Sequence, residues 1–154
     1  MSARPSLKAT RADSPATRHH AREVALQMLY QWEVGRMPMA DVVRSRPMVA
    51  DQPGRVAETL QAFALRLAHG ASSRVESIDP LISEAASGWR IERMNIVDRL
   101  IMRLAVFEFL EEPDTPATVV IDEAIELART FSSDESVAFV NGVLDAIRRR
   151  LERT

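Results

Sequence analysis

Side chains that could hold a nucleic acid gather at the start of the first predicted helix. One face of this helix, away from its apolar stripe, carries His19, His20, Glu23, Gln27 and Tyr30, and Arg18 and Arg22 stand at its beginning. Unpaired RNA bases stack on aromatic rings while arginines hold phosphates. The combination therefore suits single-stranded RNA, but it is not specific to it.

A glycine lies in the middle of the last predicted helix, in the stretch FVNGVLDAIRRRL at 139–151. Glycine costs a helix about 1 kcal/mol relative to alanine. The buried stripe of this helix is predicted to consist of Val140, Val143, Leu144, Ile147 and Leu151. Gly142 lies nearly opposite, on an outer flank with Glu135 and Phe139. Bare backbone permits close approach, so the pattern indicates either a ligand beside Phe139 or a packed neighbouring helix.

Catalytic and metal-binding patterns are weak. His19 and His20 point about 100° apart on a helix, and no third ligand has a suitable spacing. The chain has no cysteine, and we find no Gly-rich phosphate loop, no GxSxG and no HExxH. We predict no catalytic site, no metal site, no cofactor and no enzymatic activity.

Charge is distributed unevenly along the chain. Residues 1–22 carry five basic side chains and one acidic side chain, so their net charge is +4, whereas the whole chain has −2. Arginine accounts for all basic residues except Lys8, and its planar guanidinium suits phosphates and base edges. The asymmetry fits a polyanion partner at one end, and equally a solvated tail.

No apolar stretch reaches the roughly 20 residues that cross a membrane. The longest candidate, LIMRLAVFEFL, is interrupted by arginine. The N-terminus lacks the continuous apolar segment of a secretory signal. We expect no membrane partner and a cytoplasmic location.

The hydrophobic spacing predicts an all-α fold, a compact bundle of about seven helices. Residues 1–17 are expected to form a flexible basic arm and 18–154 a helical domain. We place helix starts at Asp79–Pro80, at Thr115–Pro116 and, by a capping box, at Ser132. The segment Asn95–Glu111 is apolar nearly all round, so it belongs at the centre of the bundle, where Glu108 needs a partner.

Four stretches in this order resemble the NusB family of bacterial transcription antitermination factors. They are TRHHAREVALQMLYQWEVG, IERMNIVDRLIMRLAVFEFL, TPATVVIDEAIELARTFSS and FVNGVLDAI. The resemblance extends from Arg18 to Leu151, and the third and fourth stretches carry its most specific pattern.

The resemblance implies two small antiparallel helical subdomains and a non-enzymatic role. That role is binding the boxA RNA of ribosomal RNA leader transcripts together with NusE, a small-subunit ribosomal protein. The resulting antitermination complex helps RNA polymerase read through terminators. Carried over by position, the RNA-binding residues are Arg18, His19, His20, Arg22, Gln27 and Tyr30 near the first helix, and Phe131, Glu135 and Phe139 near the last.

The chain departs from the family at the start of the first helix. Relatives often have consecutive arginines where this chain has His19 and His20, so fewer permanent charges face the phosphates near pH 7.

The sequence suggests two alternative functions. NusB-like domains also precede RNA cytosine methyltransferases, but such enzymes need a nucleophilic cysteine, which is absent here. The other alternative is a protein-binding scaffold or homodimer without direct RNA binding. Glu111, Glu112 and Asp114 form an acidic corner that suits a basic ribosomal protein, and equally a solvated turn.

Overall fold

The computed structural model describes residues 13–46 and 54–152, and every regular element in these ranges is helical. The all-α prediction is confirmed. The helices are α1 (Pro15–Glu33), α2 (Met39–Ser45), α3 (Gly54–Ser73), α4 (Val75–Ala85), α5 (Ile96–Glu111), α6 (Ala117–Phe131) and α7 (Asp134–Arg150), with a short 3-10 turn at Ile91–Arg93 between α4 and α5.

The last three residues of the predicted arm, 15–17, belong to the first helix. Residues 1–12 of the arm lie outside the described residues, but α1 begins at Pro15, not at Arg18. Ser14 caps the helix by accepting a hydrogen bond from the backbone N–H of Thr17 at 3.2 Å, and proline is favoured in the first helical turn. The pair Ser14–Pro15 is therefore a helix start.

The chain divides into two compact units, Met1–His69 and Gly70–Thr154. The boundary falls inside α3 and within the predicted domain 18–154. In the first unit, the predicted apolar stripe of α1 is buried from Ala21 to Leu29, whereas Trp32 is only half-buried. Phe63 and Leu67 of α3 are buried as predicted.

Helix α5 is the central helix of the second unit, as predicted. Every residue from Ile101 to Phe109 is buried, and α5 packs against α4, α6 and α7. Glu108 is only 2% exposed. Asn95 caps this helix by accepting hydrogen bonds from the backbone N–H groups of Val97 and Asp98.

The predicted helix start at Asp79–Pro80 is wrong. Helix α4 begins at Val75 and contains Pro80 in its interior. The Asp79 carboxylate binds the guanidinium of Arg103 on α5 through two hydrogen bonds of 2.8 Å. A carboxylate that forms two hydrogen bonds with an arginine is held more strongly than one that caps a helix. Asp79 therefore binds Arg103 of another helix and does not start its own.

Two further caps are displaced by one residue. At the start of α6 the capping position belongs to Pro116, which has no side chain to accept a hydrogen bond, and Thr115 is buried. At the start of α7 the cap is Ser133, which accepts from the backbone N–H of Ser136 at 3.2 Å. Ser132, the predicted cap, donates to the carboxylate of Asp98 instead.

Candidate RNA interface

In the first unit, three arginines surround the ring of Phe63. The guanidinium carbon of Arg18 lies 4.4 Å from the ring centroid, that of Arg66 5.0 Å and that of Arg22 5.4 Å. Phe63 itself is 3% exposed. Guanidinium groups at such distances are attracted to the ring face. This cluster was not predicted from the sequence, because the helical spacing assigns Phe63 to the apolar core alone.

Arg22 departs from its predicted place on the surface. It is only 3% exposed, so it does not present its guanidinium to a ligand in this conformation. The guanidinium lies over Phe63 instead, where planar stacking and the long aliphatic stem both favour burial. Arg22 is therefore a support for the neighbouring surface.

Arg18 remains at the surface of the same cluster. Its side chain is 27% exposed and pairs with Asp13 at 2.9 Å. An exposed ion pair of this kind is worth about 0–1 kcal/mol. Arg18 can therefore exchange Asp13 for another anion at little cost, while Phe63 keeps its guanidinium in place.

The two histidines lie on either side of one carboxylate. His19 Nε2 and His20 Nδ1 are each 3.4 Å from a carboxylate oxygen of Glu23. The structure therefore brings together His19, His20 and Glu23, three polar residues of the predicted RNA-binding face. Further along α1, the ring of Tyr30 is 44% exposed, and Gln27 is exposed and accepts a long hydrogen bond of 3.5 Å from Arg46.

In the second unit, Glu135 and Phe139 lie in the wall of one open cavity of about 510 Å³. Its lining consists of Trp89, Met94, Asn95, Asp98, Ser133, Glu135, Ser136 and Phe139. Phe131, the third residue predicted here, is 40% exposed at the end of α6 but is not part of this lining. Trp89 was not among the predicted site residues, although an aromatic residue directly after Gly88 and outside any apolar stripe is a usable signal.

A hydrogen-bond network determines where α7 begins and hence where Glu135 and Phe139 stand. The buried carboxylate of Asp98 on α5 accepts from Ser132 at 2.8 Å and from Ser136 at 2.7 Å. A charged acceptor strengthens both bonds. Because Ser132 lies two residues before α7 and Ser136 lies in its first turn, the two bonds hold the start of α7 against α5.

Gly142 is open to solvent on the flank of α7. A Cβ atom built on Gly142 would meet no described atom within 4 Å. Among the described residues no helix packs there, so the first of the two interpretations left open by the sequence, close approach of a ligand, is the one that this surface still permits.

The described residues contain neither a metal-binding cluster nor a membrane-spanning helix. Within 13–46 and 54–152, no group of three or more histidine, aspartate or glutamate side chains could hold a metal ion. In these ranges no helix combines the length and the apolar character that crossing a bilayer requires.

Comparison with known proteins relates most of the chain to one family. The sequence profile of the NusB family matches residues 19–149. The transcription antitermination protein NusB of Koribacter versatilis is 46% identical over 136 residues, which are 88% of this chain and 91% of the relative.

Solved structures share the fold. T. maritima NusB aligns with a TM-score of 0.75 and 32% identity, covering 88% of this chain and 92% of that one. A chain from the crystal structure of the antitermination factors NusB and NusE in complex with double-stranded RNA aligns with a TM-score of 0.73, over 89% of this chain and 99% of that one; at 24% identity it shows the fold alone. Because the profile extends from α1 to the last turn of α7 and the curated relative covers most of the sequence, the chain belongs to the NusB family.

Proposed function

We propose that this chain is a transcription antitermination factor that binds boxA RNA of ribosomal RNA leader transcripts together with NusE and promotes read-through by RNA polymerase. The observation that carries the proposal is the match to the family over residues 19–149, with a curated antitermination relative 46% identical to this chain. The family is one of regulatory factors. The chain therefore acts by binding and not by catalysis, in the cytoplasm, where bacterial transcription takes place.

Near α1, the chemistry of the surface supports RNA binding. Arg18 supplies a guanidinium for a phosphate, Tyr30 supplies an exposed ring for a base, and Gln27 supplies an amide for base edges. His19 and His20 add hydrogen bonds, and positive charge when protonated. Arg22 contributes through Phe63, as a support for Arg18.

Near α7, Phe139 offers a partly exposed ring at the cavity, and Phe131 offers a second ring at the end of α6. Glu135 lies beside Phe139 and can accept hydrogen bonds from a base edge. The two sets of residues lie in different units of the chain. That they bind one and the same RNA strand is part of the proposal.

The test is a salt titration with a boxA-like RNA, measured by fluorescence anisotropy with and without NusE. If arginines contact phosphates, log affinity falls linearly with log salt, with a slope of about 0.7 per contact on a single strand. Arg18→Ala should lower the slope by about that amount. Arg44→Ala is the matched control, because its guanidinium is more exposed, lies in the same unit and pairs with Asp41.

An affinity that responds neither to salt nor to Arg18→Ala would leave the scaffold or homodimer as the better explanation. Sedimentation of the free protein then distinguishes these two. Binding that requires NusE would support the joint recognition of RNA by both proteins.

A further inference from the structure

We propose that Trp89, Arg90 and Arg93 form an additional nucleotide subsite for the RNA, next to Phe139. An unstacked base lies on the ring of Trp89 at the mouth of the cavity, and the two arginines hold the adjoining phosphates. The inference rests on the proposed function and extends the RNA surface to three residues outside those predicted from the sequence.

The side chain of Trp89 is exposed enough to contact a ligand. It is 58% exposed, more than any other large hydrophobic side chain among the described residues. Its ring lies 6.5 Å from that of Phe139 between centroids, at an interplanar angle of 51°. One side of the indole is therefore supported by an aromatic neighbour, while much of the ring stays free to stack on a base.

The backbone under Trp89 is held in place although its side chain is exposed. Helix α4 ends through Ser87 and Gly88, which have φ angles of 59° and 84°. The N–H of Gly88 donates to the carbonyl of Ser83 at 2.8 Å, and the Ser83 hydroxyl donates to the carbonyl of Trp89 at 2.6 Å. A ring presented on such a backbone loses little conformational entropy on binding.

Arg90 and Arg93 add positive charge beside this ring. Both are exposed, and neither guanidinium has a hydrogen bond or ion pair with the described part of the chain. Together with Gly88 and Trp89 they line a second hollow of about 330 Å³. The backbone N–H of Arg93 donates to the carbonyl of Arg90 at 3.0 Å. Because both arginines line the same hollow, their guanidinium groups can act on one ligand there.

The acidic groups of the cavity determine which part of a nucleotide enters. Asp98 and Glu135 are both in its lining, and carboxylates repel a phosphate. The base therefore faces the cavity and the phosphates lie outside, on Arg90 and Arg93. Only an unpaired strand can present its base and backbone in this way, so the occupant is single-stranded RNA.

The first experiment uses the fluorescence of Trp89 in the full chain. The sequence has two tryptophans, so Trp32→Phe leaves Trp89 as the sole indole. Titration with a boxA-like RNA should quench its emission at the same RNA concentrations that raise the anisotropy of labelled RNA. Trp89→Ala should weaken binding about tenfold, within the range of base stacking on an aromatic side chain, and Trp89→Phe should restore most of the affinity.

The second experiment tests the arginines. Arg90→Ala with Arg93→Ala should lower the slope of log affinity against log salt by about 1.4, which corresponds to two phosphate contacts on a single strand. The control is Arg149→Ala with Arg150→Ala, two exposed arginines of the same unit that already pair with Asp145 and Glu84. An equal change in the control would mean that net charge, and not a subsite, is responsible, and would overturn the proposal.

The outcomes separate this inference from the proposed function. If the wild-type chain binds RNA but Trp89→Ala binds equally well, the subsite is refuted and the proposed function stands. If the wild-type chain binds no RNA even with NusE, both are refuted. Circular dichroism of each variant shows that the helices are retained, as expected for an exposed side chain.

Discussion

Two glycines inside helices have opposite surroundings. A Cβ atom on Gly70 would clash with Cε1 and Cζ of Phe107, whereas one on Gly142 would meet no described atom within 4 Å. Phe107 is 5% exposed and has the guanidinium of Arg74 at 5.9 Å from its ring centroid, so the ring has little room to move. Gly70 therefore permits a close approach of the ring, and Gly142 leaves a surface bare.

We predict opposite effects of the same substitution at these two positions. Gly70→Ala should lower the free energy of unfolding by about 1–3 kcal/mol, as overpacking does. Gly142→Ala should raise it by about 0.5–1 kcal/mol, because alanine is the better helix former and has free space there. Urea denaturation measures both. Equal destabilisation by the two substitutions would contradict the assignment of Gly142 to an open flank.

A bulkier side chain at Gly142 tests the same surface for binding. Gly142→Leu should weaken RNA binding while the melting temperature stays within a few degrees of the wild type, since the leucine covers the backbone beside Phe139. A parallel loss of melting temperature and affinity would instead indicate a packing role.

At the scale of elements, α5 is held to its neighbours by two polar connections. Arg103 joins it to Asp79 on α4, and Asp98 joins it to Ser132 and Ser136 at the start of α7. At the other end of α7, the pKa of Asp145 is lowered, chiefly because Arg148 donates a hydrogen bond to its carboxylate. The bonds of Arg103 and Asp98 are buried and position the helices, whereas the pair of Asp145 and Arg148 lies closer to the surface.

We predict that Asp79→Ala lowers the free energy of unfolding by about 3 kcal/mol, because it removes the carboxylate that binds the buried guanidinium of Arg103 through two hydrogen bonds. The Arg103 side chain is only 7% exposed. Combining Asp79→Ala with Arg103→Met should recover part of the loss, since the apolar methionine needs no counter-charge. Chemical denaturation of the single and double variants gives the coupling energy. A double variant less stable than both single variants would argue against this explanation.

At the scale of the whole molecule, each compact unit carries one set of the residues proposed to bind RNA. We predict that one RNA strand uses both sets. Arg18→Ala and Phe139→Ala should each weaken binding of the same boxA-like RNA, and the double variant should show approximately the sum of the two free-energy changes, as independent contacts do. If only one substitution has an effect in anisotropy measurements, the other unit does not contact this RNA.

The helices were predictable, but several of their termini were not. The periodicity of apolar residues was sufficient for α1, α3 and α5, because a helix that buries one face must repeat hydrophobic residues every three to four positions. The starts at Asp79, Thr115 and Ser132 were misassigned. Each of these residues has cap-forming chemistry, yet Asp79 binds Arg103, Ser132 binds Asp98 and Thr115 is buried. Local spacing cannot distinguish such tertiary partners from a cap.

From the sequence alone followed the all-helical class, the family and the apolar stripes, since these depend on residue types, helical spacing and the order of segments along the chain. Only the tertiary structure decided that Arg22 is buried against Phe63, that Asp98 holds the start of α7, and that Trp89 lies beside Phe139. The physical reason is that these relations join residues distant in sequence, and their energies depend on distances and burial that only packing establishes.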